Sequence, residues 1–131
     1  KAQISRATEH SAGLDLYTAE PFVIQPQTIL LASTGISVAI PKNYVGKLYI
    51  RSSVALKKGL TLANSVGVID ADYRGEIQIP LYNMGCLPVT INVGERIAQL
   101  LIEPIIYPLL HFVDELPETD RGTGGFGSTG Q

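Results

Sequence analysis

Residues 76–83 read EIQIPLYN. Ile77 and Ile79 alternate with Gln78 and Pro80, the period of two expected of a half-buried strand, whose successive side chains leave on opposite faces. Outward from this stretch, short β-branched runs recur: PFVIQP (21–26), TILLAST (28–34), ISVAIP (36–41), YVGKLYI (44–50), VTINV (89–93) and RIAQLLI (96–102). The last is more continuously apolar, as suits a strand covered on both sides. Eight prolines and thirteen glycines leave little room for long helices. The one helix candidate is SSVALKK (52–58), with Ser52 or Ser53 as N-cap and Gly59 as its stop. Many short strands separated by turns predict an all-β barrel or jelly roll.

The totals narrow the function. A length of 131 residues suits one domain with a real core, and 45% hydrophobic against 17% charged residues reads as globular instead of disordered. The net charge is −2 with no run of Lys or Arg, so no nucleic-acid partner is expected. No apolar run approaches the roughly 18 residues of a membrane span, so no membrane role is expected either. No signal peptide is read, and the expected location is cytoplasmic, or nuclear or virion-associated depending on the source. The single cysteine, Cys86, excludes a disulfide framework and a cysteine-based zinc site, and is expected as a small buried hydrophobe. His10 and His111 are expected as surface or strand residues, not ligands. From DELPETD (114–120) onward hydrophobic residues nearly vanish. The expected organisation is therefore a barrel domain, 1–114, and a flexible arm, 115–131.

Four stretches could carry chemistry. The chain ends DRGTGGFGSTGQ (120–131), with glycine at five of the last ten positions. Gly122–Gly127 formally matches G-x-G-x-x-G, but only four residues follow Gly127, too few for the helix that a dinucleotide site needs. Such a tail is either a disordered terminus or a phosphate nest, with Arg121 as forked donor, Ser128 and Thr129 as hydroxyls and Phe126 as a base-stacking ring. In ANSVGVIDADYRGE (63–76), Asn64 and Gly67 are turn formers, so a hairpin is expected. Asp70 follows Val68-Ile69 and is either a loop residue or a carboxylate held rigidly at a cavity, where it can orient water for attack. Tyr73 is expected to pack on the barrel. In GKLYIRSSVALKKG (46–59), Arg51 and Ser52 at a helix start are either an anion seat or a serine cap beside a surface arginine. In SAGLDLY (11–17), Asp15 lies between Leu14 and Leu16 and points opposite to them, toward solvent or a site.

In combination and order, these stretches resemble the trimeric dUTPases. SAGLDLY, IRSSVALKKG (50–59), NSVGVIDADYRGE (64–76), GERIAQLLIEP (94–104) and RGTGGFGSTG (121–130) match five family motifs along nearly the whole chain. The resemblance implies a distorted jelly-roll barrel of the β-clip type, a homotrimer with active sites shared between subunits, and Mg²⁺ as cofactor. It implies hydrolysis of dUTP to dUMP and pyrophosphate, which limits uracil in DNA and supplies dUMP for dTTP synthesis. Asp70 matches the carboxylate that orients the attacking water on the α-phosphorus. Asn64, Gly67, Val68 and Ile69 match a uracil pocket formed by a hairpin, and Tyr73 the ring under the deoxyribose. Arg51, Ser52, Ser53 and Gln99 match phosphate contacts, and Asp15 an acid that holds Mg²⁺ through water. Arg121, Phe126, Gly127, Ser128 and Thr129 match a C-terminal lid that orders over bound nucleotide. Ser53 stands where many members carry glycine, and Leu14 where many carry tyrosine. A dCTP deaminase on the same fold, a bifunctional deaminase–diphosphatase and a catalytically silent binding module are the rivals. The Asp70–Tyr73 context and the complete arm favour dUTPase over all three.

Overall fold

The computed structural model describes residues 2–128 and 130. The alternating stretch at 76–83 is a strand, with Ile77, Ile79, Leu81 and Asn83 buried and Gln78 exposed. In chain order the elements are β1 (Ile4–Ser5), β2 (Leu14–Tyr17), β3 (Phe22–Ile24), β4 (Ile29–Ser37), β5 (Tyr44–Ile50), α1 (Ser52–Lys58), β6 (Leu60–Leu62), β7 (Gly67–Ile69), β8 (Glu76–Asn83), β9 (Val89–Ile91) and β10 (Arg96–Pro104). The all-β class and the single short helix agree with the sequence reading.

The strands form a five-stranded sheet, β1-β2-β10-β5-β7, a three-stranded sheet, β4-β8-β6, and the pair β3-β9, all antiparallel. The core lies between them, built from Leu16, Ile24, Leu48, Leu60, Ile79, Leu81, Ile91, Ile97 and Leu100 among others, each almost wholly removed from water. Burying each such side chain contributes about 1.5–3 kcal/mol. Asn83 is buried among them without cost, because its amide donates to the carbonyls of Ile24 (3.0 Å) and Leu87 (2.9 Å) and accepts from the Gly85 amide (2.9 Å). Pro80 sits in the central strand of its sheet, where a missing N–H is ordinarily excluded. Its carbonyl accepts from Ala63 N (2.7 Å), so its nitrogen faces the same side, just past Leu62, the last β6 residue in register. No ladder bond to β4 is therefore lost.

Three expectations need correction. Helix α1 is capped by Arg51, in extended conformation (φ −75°, ψ 139°), and neither serine caps it; Ser52 is already helical because the Arg51 carbonyl accepts from Val54 and Ala55. Gly59 ends the helix in the left-handed region (φ 66°), as glycine readily does. The turn at 63–66 does not close a two-stranded hairpin: β6 pairs with β8 and β7 with β5, so the turn carries the chain from one sheet to the other. Cys86 is exposed, because it lies in the turn after β8 and not on a strand face. The last strand ends at Pro104, and residues 105–128 form neither helix nor strand and are almost all exposed.

Candidate active site

Register within the five-stranded sheet decides where the chemistry-bearing side chains go. Residues paired directly across antiparallel strands share a face. Asp15, Gln99 and Tyr49 form one such row across β2, β10 and β5. Leu14, Leu100, Leu48 and Gly67 form the next row, on the opposite face, where Leu48 and Leu100 join the core. Asp15 and Gln99 therefore project from the outer face of the sheet.

An outer cleft of about 310 Å³ opens there, lined by Asp15, Arg51, Ser52 and Gln99 with Ser11, Gly13 and their neighbours. Asp15 is only 6% exposed. Its two carboxylate oxygens lie 3.2 Å from Arg51 Nε and 3.2 Å from Arg96 Nη1. Arg51 lies between β5 and α1, with its own N–H bonded to the Ile97 carbonyl (3.1 Å). The first N–H groups of α1, at Ser52 and Ser53, find no acceptor within the helix. Gln99 donates to the Ile50 carbonyl at 3.4 Å. Two guanidiniums against one carboxylate, with free amides beside them, form a seat for an anion. Ser53 is half-buried in α1 and does not line this cleft. Arg96 was not singled out from the sequence; the signal for it was Asp15 itself, a carboxylate in an apolar strand that needs cations on the strand beside it.

A second cleft, of about 250 Å³, lies at the other edge, where β7 meets the sheet containing β4 and β8. Asn64, Gly67, Val68, Ile69, Asp70 and Tyr73 line it together with Leu31, Leu48 and Glu76, Ile77, Gln78 and Pro80 of β8. Strand β7 is the edge strand of its sheet, so the backbone groups it turns away from β5 have no neighbouring strand to claim them. Asp70 is exposed at the end of β7, and its carbonyl accepts from Tyr73 N (3.1 Å). Tyr73 is 45% exposed, with its hydroxyl donating to the Glu76 carbonyl (2.9 Å), and it stands in the cleft instead of packing into the core. Asp70 also walls a third cleft, of about 660 Å³, with Lys42, Tyr44, Asp72, Arg74, Ile105 and Tyr107.

The outer cleft and the edge cleft share no lining residue. The arm joins neither: among the described residues, none of 121–128 lines any of the three clefts. Arg121 Nε instead donates to the Gly124 carbonyl (2.8 Å), Gly127 and Ser128 are exposed, and Phe126 is fully exposed. Thr129 lies outside the described residues. Among the described residues no three His, Cys, Asp or Glu side chains cluster as a direct metal cage.

A family model described as dUTPase matches residues 1–130. The chain is similar to the deoxyuridine 5'-triphosphate nucleotidohydrolase of Rickettsia akari, 48% identical over 126 residues that cover 95% of this chain and 85% of that protein. It is 47% identical over 123 residues to the protein of that name from Syntrophotalea carbinolica, covering 92% and 84%. Among solved structures, a mutant Staphylococcus bacteriophage 80alpha dUTPase with dUpNHpp superimposes with a TM-score of 0.91 at 32% identity, over 98% of this chain and 92% of that one. The Streptococcus mutans dUTPase superimposes with a TM-score of 0.77 at 39% identity, over 80% and 87%. Matched in sequence along almost its entire length and sharing the jelly roll of these structures, the chain belongs to the dUTPase family.

Proposed function

We propose that this enzyme hydrolyses dUTP to dUMP and pyrophosphate in a site assembled between copies of the chain. The observation that carries the reading is the split of the site. An anion seat lies on the outer face of the five-stranded sheet, and a cleft with an unclaimed backbone edge lies at its other side. A nucleotide has an anionic end and a planar, hydrogen-bonding end, and in one copy the two receptors are separate clefts with no lining residue in common. Two copies facing each other bring them together. The expected assembly is a homotrimer, and the exposed Ile106, Leu109, Leu110, Phe112 and Leu116 supply apolar surface for contact between copies.

In this reading the β7 edge and the turn at Asn64 read the uracil, with Gly67, Val68 and Ile69 offering backbone groups. Cytosine is rejected because it leaves polar groups unmatched, a stronger discrimination than size alone gives. Tyr73 lies under the deoxyribose. Arg51, Ser52 and Gln99 hold the phosphates, while Ser53 contributes through its helix amide. Asp70 orients a water for attack on the α-phosphorus; the water oxygen bonds to phosphorus as the bond to the pyrophosphate oxygen breaks. Positioning and charge neutralisation supply the rate, as is usual for phosphoryl chemistry. The donor set fits an indirectly held Mg²⁺: Asp15 keeps lone pairs beyond its two arginine contacts with which to hold the ion's water shell, and the bound ion supplies further neutralisation of the phosphates. Arg121, Phe126, Gly127, Ser128 and Thr129 close over a nucleotide held by another copy. Removing dUTP limits uracil in DNA, and the dUMP formed serves dTTP synthesis.

The test is pyrophosphate release from dUTP, dTTP, dCTP and UTP measured side by side with Mg²⁺. Turnover of dUTP alone is expected. Ammonia release from dCTP would replace this reading with a deaminase, and silence with all four would replace it with a binding module.

A further inference from the structure

Contacts behind the edge cleft fix the ring of Tyr73 more firmly than an exposed turn residue requires. Its hydroxyl donates to the Glu76 carbonyl (2.9 Å). The ring also folds over Gly75: a Cβ at that position would stand 2.4 Å from Tyr73 Oη and 2.6 Å from Cζ, closer than any real contact. The ring can hold its place only because residue 75 has no side chain. Glu76 in turn reaches the opposite way, into the three-stranded sheet. Its Oε1 accepts from the Gly35 amide (2.7 Å) and from the Ser33 hydroxyl. Both donors lie where the pairing of β4 with β8 slips between Ser33 and Ser37, a bulge that Gly35 makes possible at φ 67°. Thr34, buried in the same bulge, donates to the Ile77 carbonyl (2.6 Å). The first residues of β8, and with them the acceptor for Tyr73, are thus anchored to β4.

We propose that Gly75 and Glu76 are positioning residues that hold the Tyr73 ring still, and that this clamp sets how strictly the enzyme rejects a ribonucleotide. The proposal rests on the reading of Tyr73 as the surface under the deoxyribose. Steric rejection of one added hydroxyl is weak when the wall can yield, of the order of a hundredfold at best in a pocket that merely crowds it. A ring on a turn yields by rotating about two side-chain bonds. The hydrogen bond to the Glu76 carbonyl removes that freedom, the bare Gly75 leaves the room the ring needs to make it, and the Glu76 carboxylate keeps the carbonyl itself from moving.

The experiment measures kcat/KM for dUTP and for UTP in the parent enzyme and in Gly75→Ala, Glu76→Ala, Glu76→Gln, Ser33→Ala and Tyr73→Ala, with a melting curve for each. The dUTP/UTP ratio is expected to fall about tenfold or more in Gly75→Ala and Glu76→Ala. It should fall less in Ser33→Ala, and Glu76→Gln, whose amide oxygen still accepts from Gly35, should restore the parent ratio. Should Gly75→Ala fail to fold, the graded Ser33 and Glu76 series decides. Folded clamp variants that keep the parent ratio while Tyr73→Ala loses it overturn the clamp and leave the sugar reading intact. An unchanged ratio in Tyr73→Ala itself overturns both.

Discussion

Asp15 lies buried between Arg51 and Arg96, and one carboxylate cannot neutralise two guanidiniums. Arg51 lines the outer cleft and Arg96 does not, so the residual positive charge lies beside that cleft and favours an anion there before any ligand is considered. Replacing Asp15 by Ala leaves the two cations facing each other. Because both arginines are partly in solvent, the expected loss of stability is modest, about 1–3 kcal/mol, read from urea or thermal unfolding. At Asp70 the expectation is different. Its side chain is exposed and anchors nothing in the core, so Asp70→Asn should leave folding unchanged. Nucleotide binding should persist while turnover falls by about 10²–10⁴-fold, the usual contribution of a group that directs water. Calorimetric binding of a non-hydrolysable dUTP analogue, beside steady-state rates, separates the two. Full turnover in Asp70→Asn would remove this residue from the chemistry.

The elements were largely legible because periodicity and turn residues are local. The runs at 21–26, 28–34, 44–50, 76–83, 89–93 and 96–102 each hold a strand, whereas ISVAIP (36–41) gives only Ile36 and Ser37 to the end of β4 and no strand of its own; SSVALKK is the helix from Ser52 to Lys58. Pairing was not legible. Asn64 and Gly67 mark a turn, but nothing local says that the strands on its two sides belong to different sheets. Nor does a cysteine between Gly85 and Leu87 declare its exposure, since small size permits burial without requiring it. The motif residues gave the clefts, yet Arg96 and Glu76 emerged only from pairing across the sheets. Glu76 also has a measurable signature. The Ser33 hydroxyl, and then the Gly35 amide, hold its carboxyl below the ordinary value of 4.5. A carboxylate with a lowered folded value contributes stability that is present above its unfolded value and lost as pH falls through the folded one. The melting temperature should therefore decline as pH drops below about 4.5, and Glu76→Gln should flatten part of that decline. Glu95, lowered chiefly by the Asn92 amide and then by Lys58 against a contribution from burial, adds to the same trend.

At the scale of the molecule, no core residue lies beyond Leu100 among the described residues. Deleting 121–131 is thus expected to leave the melting curve unchanged and to collapse dUTP hydrolysis; normal hydrolysis by the shortened chain would remove the lid from the mechanism. The proposed division of the site permits a sharper test. Arg51→Ala damages the outer cleft and Asp70→Asn the edge cleft, so each variant alone should be nearly inactive. Refolded together, some assemblies would join an intact outer cleft from one copy to an intact edge cleft from another, and activity should return. A mixture as inactive as its parts would mean that each chain works alone. Mass in solution gives the copy number, for which three is expected.

The placement of one cleft on the outer face of the five-stranded sheet and the other at its β7 edge bears on how such an enzyme is switched on. With the site shared as proposed, a newly made chain, however well folded, would have nothing to offer a whole nucleotide. Catalysis would then begin with encounter between copies, and rate per chain should rise steeply with concentration until assembly is complete. Below that threshold the cell would hold folded protein with no hydrolytic capacity, and a single damaged copy would silence sites to which its neighbours contribute.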